Sequence, residues 1–262
     1  MTRDLIDDRL IGALHLRAMD RSAFANDSEL SHTAFQVGTL NALMDGHFGG
    51  DATVGELLAH GDLGIGTIQH LDGEMIIVDG VAHVVDGSGN VHSVTNDVRT
   101  PFAVVCRFDP VAHTELSGPH DLAALHQHLD DLAPRHLSVL AIRVTGEFSD
   151  LRLRSVHGQR HPYPSLTEVT KHQTEWAVNS ATGTVVGFRF PDAVAGVDVP
   201  GHHYHFISDD RTVGGHVLDI TLLDGVAQVD GGDDLHVELP ADVSLGDPSL
   251  ADRAAIKAAE GG

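Results

Sequence analysis

Three histidines with the spacing of a metal site stand in one short stretch of this chain. His203 and His205 are separated by a single residue, and His216 follows in Gly214-Gly215-His216. Side chains alternate faces along a strand, so His203 and His205 project from the same face of one strand. Ser208 to Arg211 (SDDR) reads as a turn, and the chain then returns as a second strand, Val213 to Leu223, carrying His216. A hairpin of this kind brings three neutral nitrogens to one point. Three imidazoles with positions left open are the pattern of a catalytic zinc site rather than a structural one. The chain holds 20 histidines, so a chance pair or a solvated histidine patch is the competing reading of spacing alone.

Other residues could do chemistry. Glu74 stands between an Asp-Gly turn and the apolar run Met75 to Val78, either as an edge charge or as a site carboxylate. Arg152 and Arg154 alternate with Leu151 and Leu153 and so share one face, which is solvent or an anion pocket. Thr67 closes the glycine-rich segment Gly64-Ile65-Gly66. That segment lacks the strand, GxGxxG and helix frame of a dinucleotide site, and an Asp-Gly turn and a strand follow it. No GxSxG elbow is present, and Cys106 sits in an apolar run, so a covalent nucleophile is not expected. Glu260 stands three residues from the end, where a chain ordinarily frays.

The elements that must position these residues follow from periodicity. Residues 34–60 read as helical, with Phe35, Leu40, Leu43 and Met44 on one stripe and Val54, Leu57 and Leu58 on a second. Residues 61–108 read as strands divided by glycine-rich breaks. Residues 119–133 read as a helix, Val139–Val144 and Leu151–Val156 as two strands, 165–179 as helical, and the chain from Gly183 as strands again. The tail from Ser249 to Ala259 reads as a short helix. His161 to Pro164 (HPYP) is a break and the expected joint between an N-terminal α+β domain with a mixed sheet (1–165) and a C-terminal β-rich domain (166–262) carrying the histidines, its tail returning to the site. Asp79 to Gly87 (DGVAHVVDG) is echoed by Asp224 to Gly232 (DGVAQVDGG). A duplication leaves such an echo, although Asp-Gly turns between apolar strands also recur by chance. The expected class is α+β: two β-sheet-rich halves with flanking helices, and a metal site near their junction.

Composition narrows the function. At 262 residues and 42% apolar content the chain is one large domain or two small ones with an ample core. A net charge of −22 with only two lysines, Lys171 and Lys257, argues against a nucleic-acid partner. No apolar run approaches the ~18 residues of a membrane span. The acidic N-terminus lacks a signal-peptide core, so a cytoplasmic location is expected. A single cysteine excludes an internal disulfide.

From residue 34 to 260 the chain resembles the α-acetolactate decarboxylase family. The matching segments occur in order: Phe35–Val37 (FQV), His60–Thr67 (HGDLGIGT), Leu71–Glu74 (LDGE), Thr100–Ala103 (TPFA), Arg154–Val156 (RSV), Gly187–Pro191 (GFRFP), Pro200–Arg211 (PGHHYHFISDDR) and Gly214–His216 (GGH). Gly38 and His202 depart from the family pattern at positions that are not ligands. The resemblance implies one Zn²⁺ held by His203, His205 and His216, with Glu74 and Glu260 approaching it, Arg154 lining the site and Thr67 close by. It also implies a 2-hydroxy-3-oxo acid as substrate, (R)-acetoin and CO₂ as products, and a homodimer. Two alternatives remain at this point. One is a cupin-like oxygenase or isomerase, with Asp209 as the acid of an HxH box. The other is a non-catalytic binding module of related fold.

Overall fold

The structure is a computed structural model that describes residues 15–17, 32–50, 52–135, 137–232, 234–239 and 256. Its strands are β1 (His15–Arg17), β2 (Ala34–Val37), β3 (Ala52–Thr53), β4 (Leu63–Thr67), β5 (Glu74–Val78), β6 (Val81–Val85), β7 (Val91–Ser93), β8 (Arg99–Thr100), β9 (Phe102–Cys106), β10 (Ala112–His120), β11 (Val139–Ser155), β12 (Thr174–Phe190), β13 (Gly201–Ser208), β14 (Gly214–Gly232) and β15 (Asp234–Glu238). Among the described residues they are accompanied by the short helices α1 (Leu40–Met44), α2 (Val54–Leu58), α3 (Leu122–Leu132) and α4 (Leu166–Thr170).

Two large sheets make the architecture, beside a two-stranded ladder of β3 and β8. A mixed eight-stranded sheet runs β1-β15-β2-β9-β4-β5-β6-β7, with the β1, β15 and β2 pairings parallel. An antiparallel five-stranded sheet runs β10-β14-β11-β12-β13. The beginning of β14 also pairs with β13, so β11, β12, β13 and β14 form a closed ring. One core lies between the sheets: Ile65, Ile76, Val78 and Val104 of the larger meet Val186, Phe188 and Ile207 of the smaller. The outer face of the larger sheet packs under α2, which a Thr53–Glu56 capping box starts. The outer face of the smaller packs under α3, whose first turn Asp121 caps and whose Leu125 and Leu129 face inward. Alternation along each strand thus sends one set of side chains between the sheets and the other under a helix.

Several expectations are corrected. Phe35 lies on β2, not on a helix, because its segment enters the larger sheet between β15 and β9. Val139–Val144 and Leu151–Val156 are parts of one long strand, β11. Its mostly polar middle continues pairing with β12 and β14, and Phe148 is the residue of 145–150 that reaches the core. Of 165–179 only α4 is helical, and β12 begins at Thr174. Both sheets draw strands from either side of residue 165, so the division expected there does not separate them. The two echoed segments occupy different settings. Asp79-Gly80 turns β5 into β6 with both residues at positive φ, as a tight hairpin requires, whereas Asp224 to Gly232 lies within β14. The tail helix falls outside the described residues, apart from the buried Ile256. Among the described residues no helix is long and apolar enough to cross a membrane.

Candidate metal centre

The hairpin read from the sequence is present, and ring closure adds what spacing could not. His205 sits directly opposite His216 across the β13–β14 ladder. Tyr204 and Phe206 face α3, so His203 and His205 face the other way, into the space between the sheets. Val217 likewise faces α3 and leaves His216 on the inner side. All three histidines are buried, and their ligand nitrogens lie within 4.8 Å of one another. His203 Nε2 is 3.2 Å from His216 Nδ1.

Gly215 is what lets β14 come so close. Its φ is +139°, and a Cβ there would meet the Arg154 carbonyl oxygen at 2.8 Å and the ring of Trp176 at 3.0 Å. Only glycine accepts both the conformation and the approach.

Electrostatics leave the imidazoles ready to bind a cation. Burial lowers the His205 pKa to about 3, and Arg154 adds to the effect, while the hydrogen bond to the Met75 carbonyl works in the opposite direction. His203 is held well below the usual histidine range, by burial first and then by His205 and Arg154. Both rings are therefore neutral near pH 7, as metal ligands must be. His205 Nδ1 donates to the Met75 carbonyl at 2.8 Å, which turns the lone pair of Nε2 inward. That Nε2 is buried and has no hydrogen-bond partner among the described residues, although Glu74 Oε2 lies 3.4 Å away. A buried polar atom left this way is costly, and coordination removes the cost. Three imidazoles beside a carboxylate suit a divalent transition metal and not magnesium or calcium, which favour oxygen.

Glu74 and Arg154 meet the triad from opposite sheets. Glu74 opens β5 on the inward face, and Arg154 lies near the end of β11, its backbone paired with that of His216. Arg154 Nη1 donates to Glu74 Oε1 at 3.2 Å, and both side chains are buried. A buried pair of this kind must be held in register by its surroundings, since breaking it strands a charge. Arg152, expected on the same face as Arg154, is exposed. The β11–β14 register shifts between Arg152 and Leu153. Thr67 pairs with Glu74 across β4 and β5, and its hydroxyl donates to the Gly73 carbonyl at 2.7 Å, closing the turn that delivers Glu74. Glu260 lies outside the described residues, but Ile256, four positions earlier, belongs to the same buried apolar cluster as Phe102, Leu166 and Val156.

The centre is completed by residues that carried no chemical signal. Leu43, Leu71, Phe102, Val156 and Leu166 line the same space as Thr67, Glu74, Arg154, His203 and His205. In the sequence these look like any core residue, and the Met75 carbonyl has no sequence signature at all. Asp209, the acid of the cupin-like reading, is exposed in the turn beyond β13 and does not join the triad.

Residues 34–251 match the family model described as Alpha-acetolactate decarboxylase. The chain is 39% identical over 246 residues to the Alpha-acetolactate decarboxylase of Methylococcus capsulatus, covering 94% of this chain and 95% of that one. It is 36% identical to that of Klebsiella aerogenes over 79% of this chain and 80% of that one. Among solved structures, the α-acetolactate decarboxylase of Bacillus subtilis strain 168 superposes with a TM-score of 0.83 at 31% identity, covering 88% of this chain and all of that one.

Proposed function

The chain belongs to the alpha-acetolactate decarboxylase family, and from that premise we propose that it converts 2-acetolactate to (R)-acetoin and CO₂ at the histidine centre between its sheets, with Zn²⁺ as the metal. The observation that carries the reading is the triad itself: three buried imidazoles converge beside one buried Glu–Arg pair.

In 2-hydroxy-2-methyl-3-oxobutanoate the bond from C1 to C2 breaks, and its electron pair is delocalised onto the C3 ketone oxygen as CO₂ leaves. A metal held by His203, His205 and His216 would supply Lewis-acid stabilisation of the charge that develops on the ketone oxygen. Arg154 orients the departing carboxylate. A guanidinium presents donors on more than one edge, so it can hold Glu74 and a second carboxylate together. Glu74 or Glu260, or a water that one of them holds, then moves a proton to C2. Delivery from one face only gives a single enantiomer. Thr67 keeps Glu74 in place through the turn it closes. The proposal extends to a cytoplasmic homodimer.

The test is acetoin and CO₂ release from racemic acetolactate, followed by chiral analysis of the product. The protein is assayed as purified, after chelation and after zinc add-back. Turnover that is lost on chelation, recovers with zinc and yields one enantiomer supports the reading. No turnover with one metal bound per chain overturns it.

A further inference from the structure

Polar and apolar side chains both line the site, and they are not all anchored alike. Thr67, Glu74, Phe102, Arg154, His203 and His205 all stand on strands hydrogen-bonded within the sheets. Leu43 and Leu166 do not. Each is mounted on a helix of five residues, α1 and α4, which pack together in a small apolar cluster at the end of the sheets. The loop after α1 presses on the residue before the α4 cap: a Cβ on Gly46, which has φ +85°, would meet the Pro164 carbonyl at 2.7 Å.

The free space among these residues is about 30 Å³, room for a water or two and not for an organic acid. Any organic acid entering it must displace side chains. The ladder-held groups are the least free to move; a one-turn helix is freer, α1 being tied only at its start, by Leu40 and Asn41 N–H groups to the Val197 and Gly196 carbonyls, and α4 by packing. The polar groups of a 2-hydroxy-3-oxo acid, its carboxylate, hydroxyl and ketone, match Arg154 and the histidine centre. Its alkyl groups are left to the apolar wall.

We propose that Leu43 and Leu166 set the size of the alkyl group this site accepts, acting as a paired wall that yields to a methyl substituent and resists a longer one. This rests on the decarboxylase reading above and adds to it the residues that limit the substrate class. One methylene against an apolar wall discriminates by roughly 10- to 200-fold, so trimming the wall has a readable effect.

The experiment compares 2-acetolactate with its homologue carrying ethyl in place of methyl at C2, on zinc-loaded full-length protein. Leu43→Ala and Leu166→Ala are each expected to raise the ethyl-to-methyl ratio of kcat/KM by about tenfold. Leu43→Val and Leu166→Val, which remove less volume, are expected to raise it by about threefold and serve if an alanine variant does not fold. The same ratio is read independently of turnover from the Kd values of the unreactive analogues in which C3 is reduced to an alcohol. Ratios within twofold of the wild type in folded variants that still decarboxylate acetolactate overturn the inference and leave the decarboxylase reading intact. A wild-type protein inert toward acetolactate overturns the decarboxylase reading instead, and with it this one, whatever the analogue affinities.

Discussion

Glu74 belongs to two networks at once, and its replacement separates them. Glu74→Gln preserves shape and the backbone pairing of β5, so the expected outcome is near-normal zinc content with kcat lowered by about 10²–10⁴. Metal analysis beside acetoin production checks this, and an unchanged kcat would remove Glu74 from proton transfer. Arg154→Lys keeps the charge but loses the planar fork, and a fall in kcat/KM of tenfold or more is expected. A change below threefold would mean that Arg154 acts only as a counter-ion. His205 gives a pH prediction with a definite sign. The folded state keeps it neutral down to about 3, whereas an unfolded chain protonates near 6.5. Between those values the unfolded state binds more protons, so stability rises with pH there and is lost as pH falls through the window. Metal-free protein should therefore lose Tm from about pH 6.5 downward, with a shallower slope in His205→Gln; matching slopes would contradict this. The histidines, Glu74, Arg154 and Thr67 were legible as residues because their types and order are distinctive. The pairing of Glu74 with Arg154 was not, since the two lie far apart in sequence and meet only across the sheets.

At the scale of elements, the β13–β14 contact fixes the centre. Gly215→Ala forces a Cβ onto the Arg154 carbonyl and a side chain into positive φ, a strain of about 1–3 kcal/mol. The expected result is a lower Tm together with weaker zinc retention. Intact metal affinity at unchanged Tm would show that the ring tolerates a wider gap. The strands between 61 and 108 were readable from their alternating apolar runs, and α3 from its leucine stripe. What failed was continuity and partnership. The polar residues in the middle of β11 look like a break, yet cross-strand pairing carries the ladder through them. Phe35 fits a helical stripe as well as it fits a strand, and only the neighbouring β15 and β9 decide between them. The parallel β15–β2 pairing joins segments about 200 residues apart, which no local pattern reports.

For the whole molecule, the centre is where the two sheets are tied together. Glu74 and Met75 reach it from one sheet, and the histidines and Arg154 from the other. A metal bound there stabilises the packed pair by mass action. With free zinc at about 100 times Kd the gain is roughly 2.7 kcal/mol, a Tm shift of about 5–10 °C for a domain near this size. Chelation should reverse it, and calorimetry that finds no shift would place the metal elsewhere. The same geometry gives the protein an optical probe. The chain has one tryptophan, and Trp176 lies against Gly215, the residue before His216. Its fluorescence therefore originates at the rim of the centre and nowhere else. A paramagnetic Co²⁺ or Ni²⁺ ion on the histidines should quench that emission where zinc does not, so occupancy can be titrated by light in the unlabelled protein.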